Sequence, residues 1–173
     1  MSRGSSSPFD RPGLTLPSLQ VESHPRDTRS RNEKAPKKIL VSLKQAADAD
    51  ELIRLARHVA ARGARITVLH VTEVPPATPL DAKDRALDAP AAAVERAAKR
   101  LARSAGAKIA VRLLRARHAG KTIADELKEG KFDLAVIGYH HKRSLSEFLL
   151  GTTAQYLAEH APCRLLMSVP PRR

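Results

Sequence analysis

The fold is decided by residues 134–153, Leu-Ala-Val-Ile-Gly-Tyr-His-His-Lys-Arg-Ser-Leu-Ser-Glu-Phe-Leu-Leu-Gly-Thr-Thr. The first four residues are a short apolar run that predicts a buried strand, and the closing Gly-Thr-Thr opens a helical segment that Pro162 ends. A strand that delivers a glycine loop to a helix start is suited to bind an anion, because the first helical N–H groups have no partner within the helix. The alternative is that a threonine hydroxyl caps this helix.

Strands and helices alternate along the chain on either side of this stretch. Runs rich in β-branched residues predict strands, and apolar residues spaced i, i+3, i+4, i+7 predict helices between them. The predicted strands are 38–43, 66–71, 109–114, 134–138 and 164–169; the predicted helices are one that Asp48 or Asp50 caps and Gly63 stops, one over 90–105 that Gly106 ends, and those over 119–129 and 152–160. This alternation predicts parallel crossovers and a three-layer α/β sandwich. Arg112 interrupts the third strand, as expected at a sheet edge.

The composition divides the chain into three parts. Residues 1–36 are basic and rich in serine, proline and arginine, with few apolar residues in periodic order, so we expect a disordered extension. Its charges are followed by no apolar core of the length that a secretory signal needs. Residues 37–170 have the size of one domain, and 171–173 form a tail.

The chain is strongly basic, with a formal net charge of +13. Residues 1–36 carry six basic and four acidic residues, which leaves +11 on the rest. This excess favours anionic partners such as nucleotides, nucleic acid, or an acidic protein or membrane surface. The alternative is an arginine-rich surface that is merely solvated.

The cysteine, apolar and aromatic content of the chain bears on its compartment, on membrane insertion and on nucleic-acid binding. The single cysteine, Cys163, cannot form an internal disulfide, which suits a reducing cytoplasm, and we expect it to be buried. No apolar stretch approaches the ~20 residues of a membrane span, so we expect no membrane insertion. Three phenylalanines, two tyrosines and no tryptophan argue against a platform that stacks single-stranded bases, so nucleic acid is not an expected partner.

Four features over residues 38–169 together resemble a universal stress protein domain. The family's nucleotide loop is written Gly, two residues, Gly, nine residues, Gly, then Ser or Thr, and the first glycine and the last pair stand here at that spacing. The four features are the opening strand Ile39-Leu40-Val41, the strand end Leu69-His70-Val71, the loop from Gly138 to Gly151-Thr152, and His160-Ala161-Pro162-Cys163-Arg164 before the last strand.

The resemblance implies a fold, a cofactor and an assembly. The fold is an open five-stranded parallel sheet of order 3-2-1-4-5, which is flavodoxin-like and like that of the adenine-nucleotide alpha hydrolases, and the assembly is a homodimer joined along strand five. The cofactor is ATP, bound between strands one and four, where open parallel sheets bind their ligands. The nucleotide-binding residues that it implies are Leu43, Lys44, Val71, Gly138, His141, Gly151, Thr152 and Thr153.

Two of these positions depart from the family pattern. His141 replaces the middle glycine of the loop, where an imidazole blocks the phosphates or, when protonated, pairs with them. Lys44 replaces the aspartate that contacts adenine in the family. Lys44, Lys142 and Arg143 still give the cleft a positive field that suits phosphate.

The sequence leaves more than one functional class open. The first is a cytoplasmic, nucleotide-sensing dimer that is not an enzyme, although the family admits slow ATP hydrolysis. The second is a regulatory module without nucleotide, since residues 72–81 and 115–120 look like those of stress-protein domains appended to amino-acid and cation transporters; a transporter would then be a separate partner. The third and weakest is direct nucleic-acid binding through the basic surface, with a steep salt dependence.

Three local patterns suggest chemistry that we do not expect. Residues 115–122 end in Gly-Lys-Thr like a Walker A loop, but Arg115 stands where that loop needs glycine, so they predict an ordinary helix start with Gly120 easing the turn. His140 and His141 have no third ligand at matching spacing, which argues against a metal site. His70 ends an apolar strand and is expected to be packed or hydrogen-bonded.

Overall fold

The computed structural model describes residues 35–105, 108–139 and 151–169. Five parallel strands form one sheet in the order β3-β2-β1-β4-β5, which confirms the predicted fold. The strands are β1 (Lys38–Ser42), β2 (Arg65–Glu73), β3 (Ile109–Ala116), β4 (Leu134–Gly138) and β5 (Arg164–Ser168). The helices are α1 (Ala49–Val59), which follows a short 3-10 turn (Ala46–Asp48), α2 (Arg85–Ala105), α3 (Ala119–Glu129) and α4 (Thr152–His160).

The sheet is covered by helices on both faces. Along β1, Ile39 and Val41 pack in one apolar cluster with residues of α1 and α2, whereas Leu40 packs in a second cluster with residues of α3 and α4. Successive residues of a strand point to opposite faces, so a strand buried on both faces must be apolar at every position. This explains why the central strands appear in the sequence as continuous apolar runs, and it confirms the three layers.

Strand β3 lies at one edge of the sheet, as the charge within it predicts. It pairs with β2 alone among the described strands. Arg112 is exposed and forms an ion pair with Glu126 of α3. A charge in the middle of a central strand would be buried between two helical layers, whereas at this edge the guanidinium reaches both solvent and a carboxylate.

Helix α2 begins five residues earlier than the sequence pattern predicts. Asp84 accepts hydrogen bonds on Oδ1 from the amides of Ala86 (2.8 Å) and Leu87 (3.3 Å), so it caps the helix at Arg85. Pro90 therefore lies inside the second turn. The prediction was wrong because it placed the proline at the first helical position, where its missing N–H costs nothing.

The ends of α1 also differ in detail from the prediction. Asp48 stands at the N-cap position, but its side chain makes no capping hydrogen bond and instead accepts one from Gln45 Nε2 (3.1 Å). The helix ends at Val59, before Gly63. Gly63 has a φ of +76°, so it serves the turn that follows the helix, where a side chain would be strained.

Strands β2 and β3 run past their apolar cores because their polar ends pair with each other. Thr72 is the partner of Arg115, and Glu73 is the partner of Ala116. Apolar periodicity cannot report such an extension, since Thr72, Glu73 and Arg115 are polar. Strand β1 instead ends at Ser42, one residue before the predicted end at Leu43.

Several predictions fall outside the described residues. The basic segment 1–36 is described only from Ala35, and both the helix stop at Gly106 and the tail 171–173 lie beyond the described ranges. The domain bounds 37–170 therefore stay a prediction. Of the helices that are described, none is both long enough and apolar enough to cross a membrane.

Gly120 lies inside α3, where it faces Tyr156 of α4. A Cβ atom added at Gly120 would stand 2.9 Å from the Cβ of Tyr156, closer than packed side chains come. The sequence had suggested that Gly120 eases the turn before α3. The structure shows instead that glycine is required because α3 and α4 approach each other closely at this residue. Ile123 and Leu127 of the same helix face the core, as predicted.

We predict that Gly120→Ala destabilises the protein by about 1–2 kcal/mol, because overpacking against Tyr156 outweighs the better helix propensity of alanine. Urea unfolding measures the difference. The matched control is Lys121→Ala, which removes only an exposed ion pair on the next residue and should leave the free energy of unfolding nearly unchanged. A Gly120→Ala variant as stable as the wild type would contradict the packing argument.

Candidate functional site

The sheet order creates a crevice between the carboxyl ends of β1 and β4. These strands are neighbours, with Ser42 paired to Ile137 at their ends. The chain leaves β1 for α1 on one face and leaves β4 for α4 on the other, since the two helices belong to different core clusters. Connections that diverge in this way leave the strand ends uncovered, and ligands of open parallel sheets bind at such points.

The residue that follows β1, Leu43, is held in place by hydrogen bonds to β2. The amide of Leu43 donates to Leu69 O (2.9 Å), and His70 Nδ1 donates to Leu43 O (2.8 Å). Leu43 is 1% exposed and His70 is 4% exposed. Leu43 thus anchors this turn rather than presenting its side chain to a ligand, and His70 is packed and hydrogen-bonded, as predicted. The next residue, Lys44, is exposed at the rim.

The residue that follows β4, Tyr139, is held in place by a hydrogen bond to β5. Gly138 is the register partner of Ser168, and the amide of Tyr139 donates to Ser168 O (2.8 Å). Tyr139 is buried, and sequence reasoning gave it no role. The predicted site residue His141, with its neighbours in 140–150, lies outside the described residues.

Among the residues that the structure describes, no side chain caps the first amides of helix α4. Gly151 holds the N-cap position with φ −59° and ψ 152°, and no side-chain capping hydrogen bond is made there. The expectation that a threonine caps the helix is therefore wrong, because Thr152 and Thr153 lie inside it. Within the described chain, no atom comes within 4 Å of the place where a Cβ of Gly151 would stand. This backbone conformation is open to any residue, so the fold itself does not require glycine here.

Helix α3 begins in the opposite way, with its first amide already occupied. Glu73 Oε1 accepts a hydrogen bond of 2.8 Å from the amide of Ala119. Thr122 donates its hydroxyl to His118 O (3.0 Å), and Lys121 pairs with Asp125 at 2.7 Å, a contact that raises the pKa of the lysine. The Walker-like stretch is thus an ordinary helix start filled by a carboxylate, which leaves no room for phosphate.

The two sides of the crevice differ in charge. Asp50 and Glu51 lie in the first turn of α1, and Ser168 donates its hydroxyl to Glu51. Carboxylates at a helix start are favourable, but they repel an anion. On the side formed by α4, the described chain begins with the uncharged residues Gly151, Thr152 and Thr153, and no described side chain caps the first amides. An anion in the crevice is therefore favoured on the α4 side. The contact of Glu51 spans 117 residues, so no local pattern could reveal it.

Two arginines at the end of β3 hold the proline-containing loop that follows β2. Arg117 donates to Val74 O (3.1 Å) and to Pro75 O, whereas Arg115 donates to Leu80 O (3.0 Å) and to Ala82 O. Arg115 also pairs with Asp88 of α2 at 3.0 Å. Sequence reasoning cited residues 72–81 and 115–120 together as a resemblance to transporter-appended domains but predicted no contact between them, and the structure joins them through these hydrogen bonds. Arginines two residues apart at the end of an edge strand are the signal that could have indicated it.

The other candidate groups lie apart from the crevice or only line its wall. Val71 is half-buried and packs with the cluster under α3 and α4. Cys163 is half-buried rather than buried as predicted, and desolvation raises the pKa of its thiol. No group of three or more metal-ligating side chains occurs within the described ranges, and His140 and His141 lie outside them.

The chain was compared with known families and structures. The sequence model of the universal stress protein family matches residues 36–169. No curated protein matches the chain. The universal stress protein UspA from Lactobacillus plantarum has a similar structure, with a TM-score of 0.59 and 24% identity, over 76% of this chain and 96% of that one.

Several of the similar structures contain nucleotides. A universal stress protein family protein from Arabidopsis thaliana with AMP bound has a TM-score of 0.53 and 19% identity, over 79% of this chain and 93% of that one. The universal stress protein from Archaeoglobus fulgidus in complex with dAMP has a TM-score of 0.57 and 21% identity, over 75% and 95%. At these identities the likeness establishes the fold.

Proposed function

The chain belongs to the universal stress protein family, and on this premise we propose that it binds an adenine nucleotide, ATP in the first place, in the crevice between β1 and β4. The observation that carries the proposal is the uncapped start of α4 at the topological switch point. Relatives of the same fold hold AMP and dAMP, which supports the adenine moiety but does not distinguish the number of phosphates.

The phosphates are assigned to the start of α4. The first amides of the helix point into the crevice, and the helix dipole contributes about half a positive charge there. Gly151 adds no side chain at the point of closest approach, while Thr152 and Thr153 bring hydroxyl donors. Gly138, at the end of β4, begins the loop that would close over the phosphates.

The base is assigned to the side of β1 and β2. Val71 supplies apolar wall, and the turn anchored at Leu43 sets the position of Lys44. A lysine cannot accept a hydrogen bond from the amino group of adenine as a carboxylate can. Lys44 is therefore assigned to a phosphate, and the base is held by packing and backbone groups.

We also propose that the protein acts by binding rather than by catalysis, in the cytoplasm. The two carboxylates nearest the strand ends are engaged, since Glu51 accepts from Ser168 and Glu73 accepts from the amide of Ala119. Neither is poised to activate water. The lone Cys163, which needs no disulfide partner, fits a reducing compartment.

A homodimer through β5 completes the proposal. Leu165, Leu166 and Met167 are only partly buried, and β5 pairs with β4 on one side alone among the described strands. An edge strand of this kind has unpaired backbone groups that a second copy can satisfy. We expect light scattering at micromolar concentration to give twice the chain mass of 18.9 kDa. A monomer under these conditions would refute the dimer.

A regulatory module without nucleotide is the second candidate function. The loop after β2, held by Arg115 and Arg117, favours it, because four carbonyl contacts fix a surface that can be presented to a partner protein such as a transporter. The replacement of the family aspartate by Lys44 points in the same direction. The two candidates differ in whether the purified protein binds adenine nucleotides at all.

Three variants test the nucleotide site by calorimetry with ATP. We predict that Gly151→Val abolishes binding, because the side chain fills the space that a phosphate needs. The φ of −59° accommodates valine, so folding should be retained, which thermal unfolding checks. Lys121→Ala, in the Walker-like stretch, should leave affinity nearly unchanged. His141→Gly should tighten binding if the imidazole blocks the phosphates and weaken it if the imidazole pairs with them.

The outcomes separate the two candidates. Equal ATP affinity in wild type and a folded Gly151→Val variant would place the ligand elsewhere. Undetectable ATP binding by both wild type and His141→Gly would favour the regulatory module.

A further inference from the structure

The edge of the sheet opposite the crevice is basic. All five strands begin at this edge and the helices that cover them end there, since the strands are parallel. Two acid-free stretches of the sequence, 52–72 and 96–124, supply much of its charge. We define the basic face by six exposed residues: Lys37, Arg57, Arg62, Arg65, Arg103 and Lys108.

The register of the sheet brings these residues together. Arg65 is the partner of Lys38, and its amide donates to Lys37 O (2.8 Å). Ile66 pairs with Ile109, so Lys108, the residue immediately before β3, lies next to Arg65. Adjacent strands are about 4.8 Å apart, and the positive side chains therefore form a closely spaced row across β1, β2 and β3.

The two helices on one face widen this row into a band. Arg57 lies in the last turn of α1 and Arg62 in the connection that follows it, while Arg103 lies in the last turn of α2. On the other face the band is interrupted by acidic residues, Glu129 and Glu159, near the ends of α3 and α4. The positive field is therefore directional, along the α1 and α2 side of the edge.

The charges of the basic face have no acidic ion-pair partner in the part of the chain that the structure describes. Some basic residues elsewhere are paired, namely Arg54 with Asp50, Lys99 with Glu95, and Lys121 with Asp125. Asp133, an acidic residue immediately before β4, accepts instead from the backbone amides of Lys37 (2.9 Å) and Lys38 (2.8 Å).

We propose that the basic face binds the phosphate backbone of double-stranded nucleic acid without regard to sequence. A duplex carries one negative charge per about 1.7 Å of its axis, and a row of lysine and arginine side chains neutralises it while releasing counterions. Arginine, which supplies four of the six residues, matches phosphate with two parallel N–H donors.

The surroundings of the basic face favour a duplex over other anionic partners. The large hydrophobic side chains that are exposed in the described chain are Leu80, Leu113 and Val169, and none of them lies at this edge. Surface binding to lipid uses inserted apolar side chains, protein partners use aromatic anchors, and single strands stack on aromatic rings. Contacts to duplex phosphates need none of these.

The proposal is independent of the nucleotide site. The crevice lies at the carboxyl edge of the sheet, and the basic face lies at the amino edge, separated by the length of the strands. The scarcity of aromatic residues argues against binding of single strands, which stack on aromatic rings. It does not argue against binding of a duplex, whose phosphates are contacted by lysine and arginine.

The test is fluorescence anisotropy of a labelled mixed-sequence duplex of about 20 base pairs with the full chain, over a series of salt concentrations. The variant R62Q/R65Q/R103Q/K108Q removes four charges from the basic face. The control R54Q/K83Q/R85Q/K121Q removes four exposed charges from other surfaces and so matches the net charge. Anionic phospholipid vesicles form a separate arm.

We expect the face variant to weaken duplex binding by more than about tenfold at low salt. The slope of log Kd against log salt should fall by about 0.9 for each phosphate that the variant no longer neutralises. The control should stay within about twofold of wild type. ATP binding should be the same in all three proteins.

Equal weakening in both variants would overturn the proposal, because binding would then follow net charge alone. Absence of duplex binding by wild type would overturn it as well, and so would wild-type binding to vesicles but not to the duplex. Absence of ATP binding by wild type would contradict the nucleotide site. It would not affect the conclusion about the duplex, because the two sites lie at opposite edges of the sheet.

Discussion

The divergence of the chain between β1 and β4 is the constraint on which the rest of the site depends. Two adjacent parallel strands send their helices to opposite faces, so the ends of the strands remain uncovered. The same fold closes other strand ends with its own groups. At the start of α3 the carboxylate of Glu73 occupies the first amide, whereas at the start of α4 Gly151 leaves the amides open. The start of α3 is therefore stabilised by the chain's own carboxylate, whereas the start of α4 is the one to which we assign the ligand.

Sequence patterns predicted what depends on neighbours along the chain. Apolar runs located the strands, because the central strands β1, β2 and β4 are buried on both faces and the edge strands β3 and β5 are partly buried. The family resemblance supplied their order. The roles of individual polar and glycine residues were missed, because their partners are distant in sequence. The carboxylate of Glu73 caps a helix 46 residues later, Gly120 fits against Tyr156, and Arg117 holds a loop 42 residues earlier. The start of α2 was misplaced because Pro90 was taken as a first helical residue.

Charge is distributed along the axis of the strands. At the carboxyl edge, acidic residues at helix starts offset the lysines and arginines of the loops, as the helix dipoles favour. At the amino edge, basic residues at helix ends and strand starts have few acidic neighbours. Among the described residues, the excess positive charge is therefore largely remote from the crevice. The proposed nucleotide would then be bound by backbone amides and a few local cations rather than by the net charge. One molecule can in this way present two anion-binding surfaces with different chemistry.

Backbone amide chemical shifts during a titration with ATP test the central claim most directly, because they report where the ligand meets the chain. The open start of α4 predicts the largest changes at residues 151–154, smaller changes near Lys44 and Val71, and none at Ala119, whose amide Glu73 already holds. Changes centred on Ala119 to Thr122, or on Arg65 and Lys108 at the opposite edge of the sheet, would contradict the assignment of the nucleotide to the crevice between β1 and β4.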